Sequence, residues 1–352
     1  MIPILYESTE TAFVHNGIAR LSDCISAVVS EERNGVYELD FQYPVTGVHF
    51  ADIIPGRIVG VTHDESGDIQ PFDIVSYQRE IDGIVTFHAV HVSYRLSFIT
   101  VTGSNVNSLA DALALVATGT PENRFTFAAD FTSSAYMAGA DGLPHTAKSL
   151  LGGSEGSILD TYGGEYTWDK FRVILQKERG IERDFAIRYG INMVTFSDDT
   201  DASEAYNAVI PYWHQENTGT VIGSKVVSRQ AMYSNREACV PLDLTEKFET
   251  QPTAAQLETE ALSYLQTHET ATPKQTINVS FIRLQDYAGQ EELAELMQCG
   301  LCDKITVIFP GYGMQERFEI VKTTWDVLED RYTEMELGSL QTTLAQALGI
   351  NN

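Results

Sequence analysis

The chain of 352 residues carries 49 acidic side chains against 23 basic ones, a formal charge of −26, and 43% of its residues are apolar. That balance excludes binding of nucleic acid through its phosphates, which Lys and Arg must neutralise; it fits simple solubility, or an acidic surface past which another polyanion slides without sticking. No apolar run reaches the roughly 18 to 20 residues that cross a bilayer, and the start MIPILYESTETAF has neither a basic n-region nor a full h-region, so no secretory signal is expected.

Residues 1–102 read as β-structure. Extended runs at 24–31 and 36–43 flank Asn34-Gly35, a strong hairpin signal. Pro55-Gly56 introduces a run at 57–63, Gly67-Asp68 turns the chain, and a run at 72–79 pairs with 84–94 across Asp82-Gly83. Short strands parted by Gly, Asn and Asp turns predict an antiparallel barrel or sandwich. After Thr102 the texture changes to an apolar helix at 108–117 opened by Asn107 or Ser108, a strand at 125–131 and a small-residue loop at 132–149.

The stretch from Leu150 to Gly190 is the most individual in the chain. Ser157 stands three residues before Asp160, a capping-box spacing, and Ile158, Leu159 and Tyr162 follow at helical intervals. Gly163-Gly164 stops that helix, because glycine readily takes the positive φ of a C-cap. Runs at 166–168 and 171–175 around Asp169-Lys170 predict a two-residue hairpin, and 178–184 a longer turn into a strand at 185–189.

Strands return at 208–214, 220–225 and 240–242. Thr253 and Gln256 form a second capping box before the clearest helix, whose face is Leu257, Ala261, Tyr264 and Leu265. Further strands are expected at 277–284, 304–309, 317–325 and 331–337, with a last helix at 339–348.

The two β-rich regions share a pattern. Phe72-Asp73-Ile74-Val75 and Phe318-Glu319-Ile320-Val321 each follow a strand that begins at a basic residue, Arg57 or Lys304, and each precedes an acidic turn and another strand. Matching order and spacing point to a duplication. The expected fold class is β-rich α+β, with two similar antiparallel β-barrel tube domains, each carrying an inserted or following α/β or helical module. Residues 1–102 form the first barrel, 103–196 an inserted α+β domain, 197–245 with 274–338 the second barrel, 246–273 a helical insertion and 339–352 a C-terminal helix.

The run GSILDTYGGEYTWDKFRVILQKERG followed by IRYG resembles the central signature of siphophage and prophage tail-tip hub proteins, the prophage tail endopeptidase or tail-associated lysin family. The matching residues are Gly156 to Asp160, Gly163-Gly164-Glu165, Trp168-Asp169, Arg179-Gly180 and Ile187 to Gly190, with Asp303 to Val307 and the strand before Leu337-Gly338. The resemblance implies a virion tail-tip protein similar in fold to the contractile-tail baseplate hub, made in the bacterial host cytoplasm. It further implies a homotrimer whose six barrels continue the tail tube, with the distal tail, tape measure and tail tube proteins as partners. DNA would pass through the lumen without specific binding, and the host cell envelope would be met indirectly. In that family peptidoglycan cleavage usually belongs to a separate C-terminal domain, so no catalytic residue is carried over.

Chemistry read from the residues alone is thin. His88 and His91 sit at odd spacing in a strand and point to opposite faces; His145 and His268 lack partners at ligand spacing. Cys299 and Cys302 form a CxxC without a second half-site, which reads as two small buried hydrophobes, and Cys24 and Cys239 are isolated. Glu155, Asp160, Glu165 and Asp169 could supply paired carboxylates, but caps and turns account for them. Asp198, Asp199 and Asp201 lack the glycine and glutamate of a calcium loop. No GxSxG, HExxH or P-loop pattern is present, so no cofactor is expected. Lys177, Arg179 and Arg183 cluster at an expected hairpin tip and are the candidate partner contact. A peptidoglycan hydrolase is the alternative function, and the 16 Tyr, 16 Phe and 3 Trp leave a carbohydrate-binding module as a third reading.

Overall fold

A computed structural model describes residues 1–339 except 122–123, 138–141, 155, 217, 229–236, 249, 268–269, 272 and 282–298; the expected C-terminal helix, Glu155 and His268 lie outside the described residues. The chain divides into two compact units, one of Met1–Ser197 with the segment from Ile277, the other of Asp198–Thr276.

The first unit begins with β1 (Ile4–Tyr6), β2 (Ala19–Arg20), β3 (Ser26–Glu32), β4 (Tyr37–Pro44), β5 (Ile58–Thr62), β6 (Ile69–Arg79) and β7 (Ile84–His91). Alternation along β3 and β4 turns Ala27 and Val29, and Tyr37, Leu39, Phe41 and Tyr43, into the core. Their hairpin closes through Asn34 at φ +57, a left-handed conformation that Asn tolerates.

The module that follows holds β8 (Thr100–Thr102), α1 (Leu109–Ala117), β9 (Thr126–Ala129), β10 (Pro144–Thr146), α2 (Ala147–Leu151), α3 (Ile158–Tyr162), β11 (Glu165–Asp169) and β12 (Arg172–Gln176). Ser108 caps α1, accepting from the amide of Asp111 at 3.1 Å. Ser157 caps α3 as its spacing predicts, while the Asp160 carboxylate accepts from Gly156 N at 2.9 Å. Gly163, at φ +67, ends the helix. Asp169 pairs with Arg172, so the hairpin loop is Lys170-Phe171, one residue later than predicted; the extra strand residue is Asp169, held by Gln70 Nε2 at 3.2 Å. β9 adds to β12 in parallel, and the module packs into the same apolar core as the first strands.

Next come β13 (Glu182–Arg188) and β14 (Met193–Asp201). The second unit intervenes with β15 (Ala208–Gln215), β16 (Gly219–Ile222), β17 (Val226–Val227), β18 (Cys239–Asp243) and α4 (Ala254–Thr267). The chain returns as β19 (Lys274–Phe281), β20 (Lys304–Phe309), β21 (Met314–Asp326) and β22 (Arg331–Ser339).

Thirteen strands form one sheet, in the order β14-β19-β22-β21-β3-β4-β7-β6-β5-β1-β2, with β20 pairing both β21 and β13. The two β-rich regions therefore meet in a single open sheet, and no closed strand path is present among the described residues. The cause is the length of β21. Its first half pairs with β20 and its second half, on the same edge, pairs with β3.

The duplication is visible in the hydrogen bonds. Val59 faces Phe72 where Ile305 faces Phe318. Ile74 N donates to Arg57 O at 2.9 Å, and Ile320 N to Asp303 O at 2.9 Å; Gly56 N donates to Ile74 O at 2.8 Å, and Cys302 N to Ile320 O at 2.7 Å. Gly56 and Cys302 both take positive φ, +89 and +71. A bulge falls between Ile74 and Ser76 in β6 and between Ile320 and Lys322 in β21. One constant residue offset relates every member of these pairs.

In the second unit β15 is central, antiparallel to β16 and β17 and parallel to β18. The strands at 208–243 thus pair with one another, whereas the sequence grouped them with the second tube domain; β13, grouped with the inserted domain, pairs with β20. Thr253 N donates to Gln256 Oε1 at 2.9 Å and Gln256 N to Thr253 Oγ1 at 3.4 Å, a reciprocal capping box that starts α4. Leu257, Ala261 and Leu265 of α4 pack on Val209 and Trp213 of β15. The opposite sheet face leaves Ile210 and Ile222 exposed.

Candidate functional site: a buried charged joint

Cap and turn roles explain part of the stretch 150–190, and its docking onto neighbouring strands explains more. Asn34 Nδ2 donates to Gly164 O at 3.1 Å, and Tyr166 N donates to Asn34 Oδ1 at 2.8 Å, so the β3–β4 turn grips β11. Lys170 N donates to Gln70 Oε1 at 2.8 Å, which ties the β11–β12 turn to β6. A Cβ on Gly180 would overlap the carbonyl of Cys302 and the amide of Asp303, so only glycine lets the chain run this close to the start of β20.

The three candidate cations do not share a tip. Arg179 turns inward and donates through Nη1 to Glu31 Oε1 at 2.8 Å, and its backbone N donates to Glu165 Oε2 at 2.6 Å. Arg183 Nε donates to Asp303 Oδ2 at 2.7 Å, while Ile181 N donates to Asp303 Oδ1 at 2.9 Å. Buried carboxylates across the fold draw both side chains in, because an unpaired buried charge costs several kcal/mol. Lys177 stays exposed, its Nζ 5.4 Å from the ring of Phe131.

Glu31 is the centre of the joint. It projects inward from β3, and besides Arg179 it holds His63 Nδ1 at 3.1 Å. Burial would raise its carboxyl, but the Arg179 charge and the His63 hydrogen bond outweigh burial and hold it well below the usual range. Burial likewise pulls His63 down, and Glu31 overcomes this and raises it. His91 is enclosed without an acid at bonding distance. It stacks on Tyr37 with ring centroids 4.4 Å apart, and burial lowers it to about 3. His88, on the other face as its spacing predicts, meets Asp40 at 2.8 Å.

Glu165, Cys302 and Glu319 bring ligand atoms within 4.8 Å of one another. The Arg33 guanidinium lies 2.6 Å from Glu319 and 3.6 Å from Glu165 and already supplies the positive charge. Burial pushes the Cys302 thiol up, against the thiolate a metal needs. Glu165 and Glu319 are thus engaged in an ion-pair cluster with Arg33. Cys299 and Cys302 are both buried and form no disulfide. Asp160 and Asp169 serve as cap and turn residues. Sequence reading missed Glu31, His63, Arg33, Glu319 and Asp303. The available signal was parity, since Glu31 continues the inward series of Ala27 and Val29.

Chemically, this arrangement locks three segments together: the two β-rich repeats and the module between them. The β-rich fold is similar to that of solved phage tail proteins. Residues 181–348, which contain all of β13 to β22, match the family described as prophage endopeptidase tail. Among solved structures the chain is similar to prophage tail protein gp18 from Listeria monocytogenes EGD-e, with TM-score 0.61, 14% identity, and 99% of this chain and 97% of that one covered. It is similar to the tail protein from Neisseria meningitidis MC58, with TM-score 0.61, 12% identity and 98% of each chain covered. The 43 kDa tail protein of prophage MuSo2 from Shewanella oneidensis follows at TM-score 0.58 and 10% identity, with 96% of this chain and 98% of that chain covered. No curated protein matches the chain.

Proposed function

We propose that the chain is a structural hub of the phage tail tip, a homotrimeric ring that continues and closes the tail tube and opens for DNA. The duplicated meander carries this reading: β5-β6-β7 and β20-β21-β22 repeat down to the same bulge, so three copies supply six equivalent wall segments. The two repeats are the tube-wall domains; the module from β8 to β12 and the second unit are insertions. An acidic lumen suits the charge of −26, since it gives DNA phosphates nothing to bind. The distal tail, tape measure and tail tube proteins are the partners in this reading, with the host envelope met through them. Lys177 is the cation left available for such a contact.

Light scattering and electron microscopy of the purified chain test this. A trimer with a central hole is expected; a compact monomer at every concentration, unchanged by tail partners, overturns the proposal. The matched family's description favours one second reading, a tail-associated peptidoglycan hydrolase. Lysis of purified cell wall in a zymogram would establish it, with no catalytic residue assigned in advance.

A further inference from the structure

The two repeats are alike in hydrogen bonding but unlike along one edge. The second half of β21 pairs with β3, Lys322 facing Glu32 and Asp326 facing Val28. Its counterpart, Val75–Arg79 in β6, pairs with β7 on one side and, among the described residues, with no strand on the other. All five of these residues are exposed, whereas their counterparts Val321–Trp325 are buried or half-buried. At the far end of the same sheet, β14 has β19 as its single neighbour among the described residues. β14 holds in the second repeat the place that β3 holds in the first: beyond β7 lie β4 and β3, and beyond β22 lie β19 and β14.

We propose that the free edge Val75–Arg79 receives β14 of a second copy of this chain, repeating between chains the joint that β3 and β21 make within one. The backbone is already oriented for it. Arg33 N donates to Val321 O and Val327 N to Ala27 O, both at 2.9 Å, so alternate residues Val321, Thr323 and Trp325 turn their peptide groups toward β3. The bulge stands at the same place in both repeats, which turns the peptide groups of Val75, Tyr77 and Arg79 toward solvent. An open row of this kind is a template for strand addition. The stretch carries no proline and one charged residue, Arg79, to discourage it. The contact is head-to-tail, β6 of one copy against β14 of the next, and such contacts close into rings or run on as filaments. Closure at three copies rests on the ring reading above.

Hydrogen exchange on the full chain, dilute and at high concentration, with mass photometry alongside, tests the joint. Assembly should slow exchange of the Tyr77 and Arg79 amides and of residues 193–197 by about tenfold or more. Tyr77→Pro removes an outward N–H while sparing the β7 ladder, and should raise the concentration needed for assembly by about tenfold or more. If that variant fails to fold, the exchange of the unaltered chain decides alone. Trimers without protection at 75–79 would overturn the joint and leave the ring reading standing. Filaments with protection there would support the joint and overturn closure at three. No assembly at any concentration, tail partners included, would overturn both.

Discussion

The second halves of β6 and β21 have the same bulge, the same preceding strand pairing and opposite fates. In β21 the strand is covered by β3, and in β6 the equivalent residues lie bare. Because the local hydrogen-bond pattern is shared, local sequence does not decide whether an edge is paired. What decides it is which strand the chain can bring there. β3 belongs to the same repeat as β6 but pairs with β21 of the other, so one repeat lends its end strand to the other. The chain satisfies one such joint and leaves the other open.

The closed joint is fixed by more than its ladder, and its supports rank by what their loss would force on the neighbouring groups. Gly180→Ala is expected to cost the most, above about 4 kcal/mol, because the new methyl must displace the backbone of Cys302 and Asp303. Urea unfolding of the full chain would read this, and a loss under about 1 kcal/mol would show that 178–181 does not need its close path. Glu31→Gln comes next, at roughly 3–5 kcal/mol, since Arg179 is left buried without its carboxylate.

The pH dependence of that loss follows from both partners. Glu31 is held below 4.5, so its contribution is full above that value and fades as pH falls. His63 is raised above 6.5, so its contribution is full below 6.5 and fades as pH rises through its raised value. The difference between Glu31→Gln and the unaltered chain should therefore peak between pH 4.5 and 6.5. His91, lowered to about 3 by burial against the raising charge of Glu31, contributes stability above 6.5 that is lost toward 3, and removing the Glu31 charge lowers it further.

The comparison itself is tested by one substitution made twice. Thr323→Pro removes a donor to β3 and is expected to destabilise the single chain by about 3 kcal/mol. Tyr77→Pro, at the equivalent place, removes a donor to nothing and should cost under about 1 kcal/mol in dilute solution. Equal losses would mean that the free edge is already covered within one chain.

Much of this fold was legible because local rules act within a few residues. The hairpin at Asn34-Gly35, the caps at Ser108, Ser157 and Thr253, and the repeat of Phe72 to Val75 at Phe318 to Val321 all depend on spacing alone. Pairing across repeats was not legible. Nothing near Val28 or Asp326 shows that they face each other, so the strand pairing that joins the two β-rich regions could not be read from spacing. The charged joint was hidden for the same reason. Arg179 looked like a surface cation because Glu31 lies far away in sequence, and a side chain's burial depends on such distant partners.

The smallest effect probes the outer rim of the same joint. Lys322 Nζ lies 2.7 Å from Glu32 Oε1, directly across from it, with both side chains about a third exposed. Water screens a pair this open, so Lys322→Ala should cost only about 0.2–1 kcal/mol. The loss should shrink further at high salt, where the Debye length falls to about 3 Å at 1 M. Ser76 holds the equivalent place on the free edge of β6, so the inter-chain joint would lack this ion pair. Unfolding of Lys322→Ala in low and high salt separates the two contributions at the internal joint. A loss that persists in salt would mean that the lysine stem packs against β3, and that the charge adds little to what the ladder already holds.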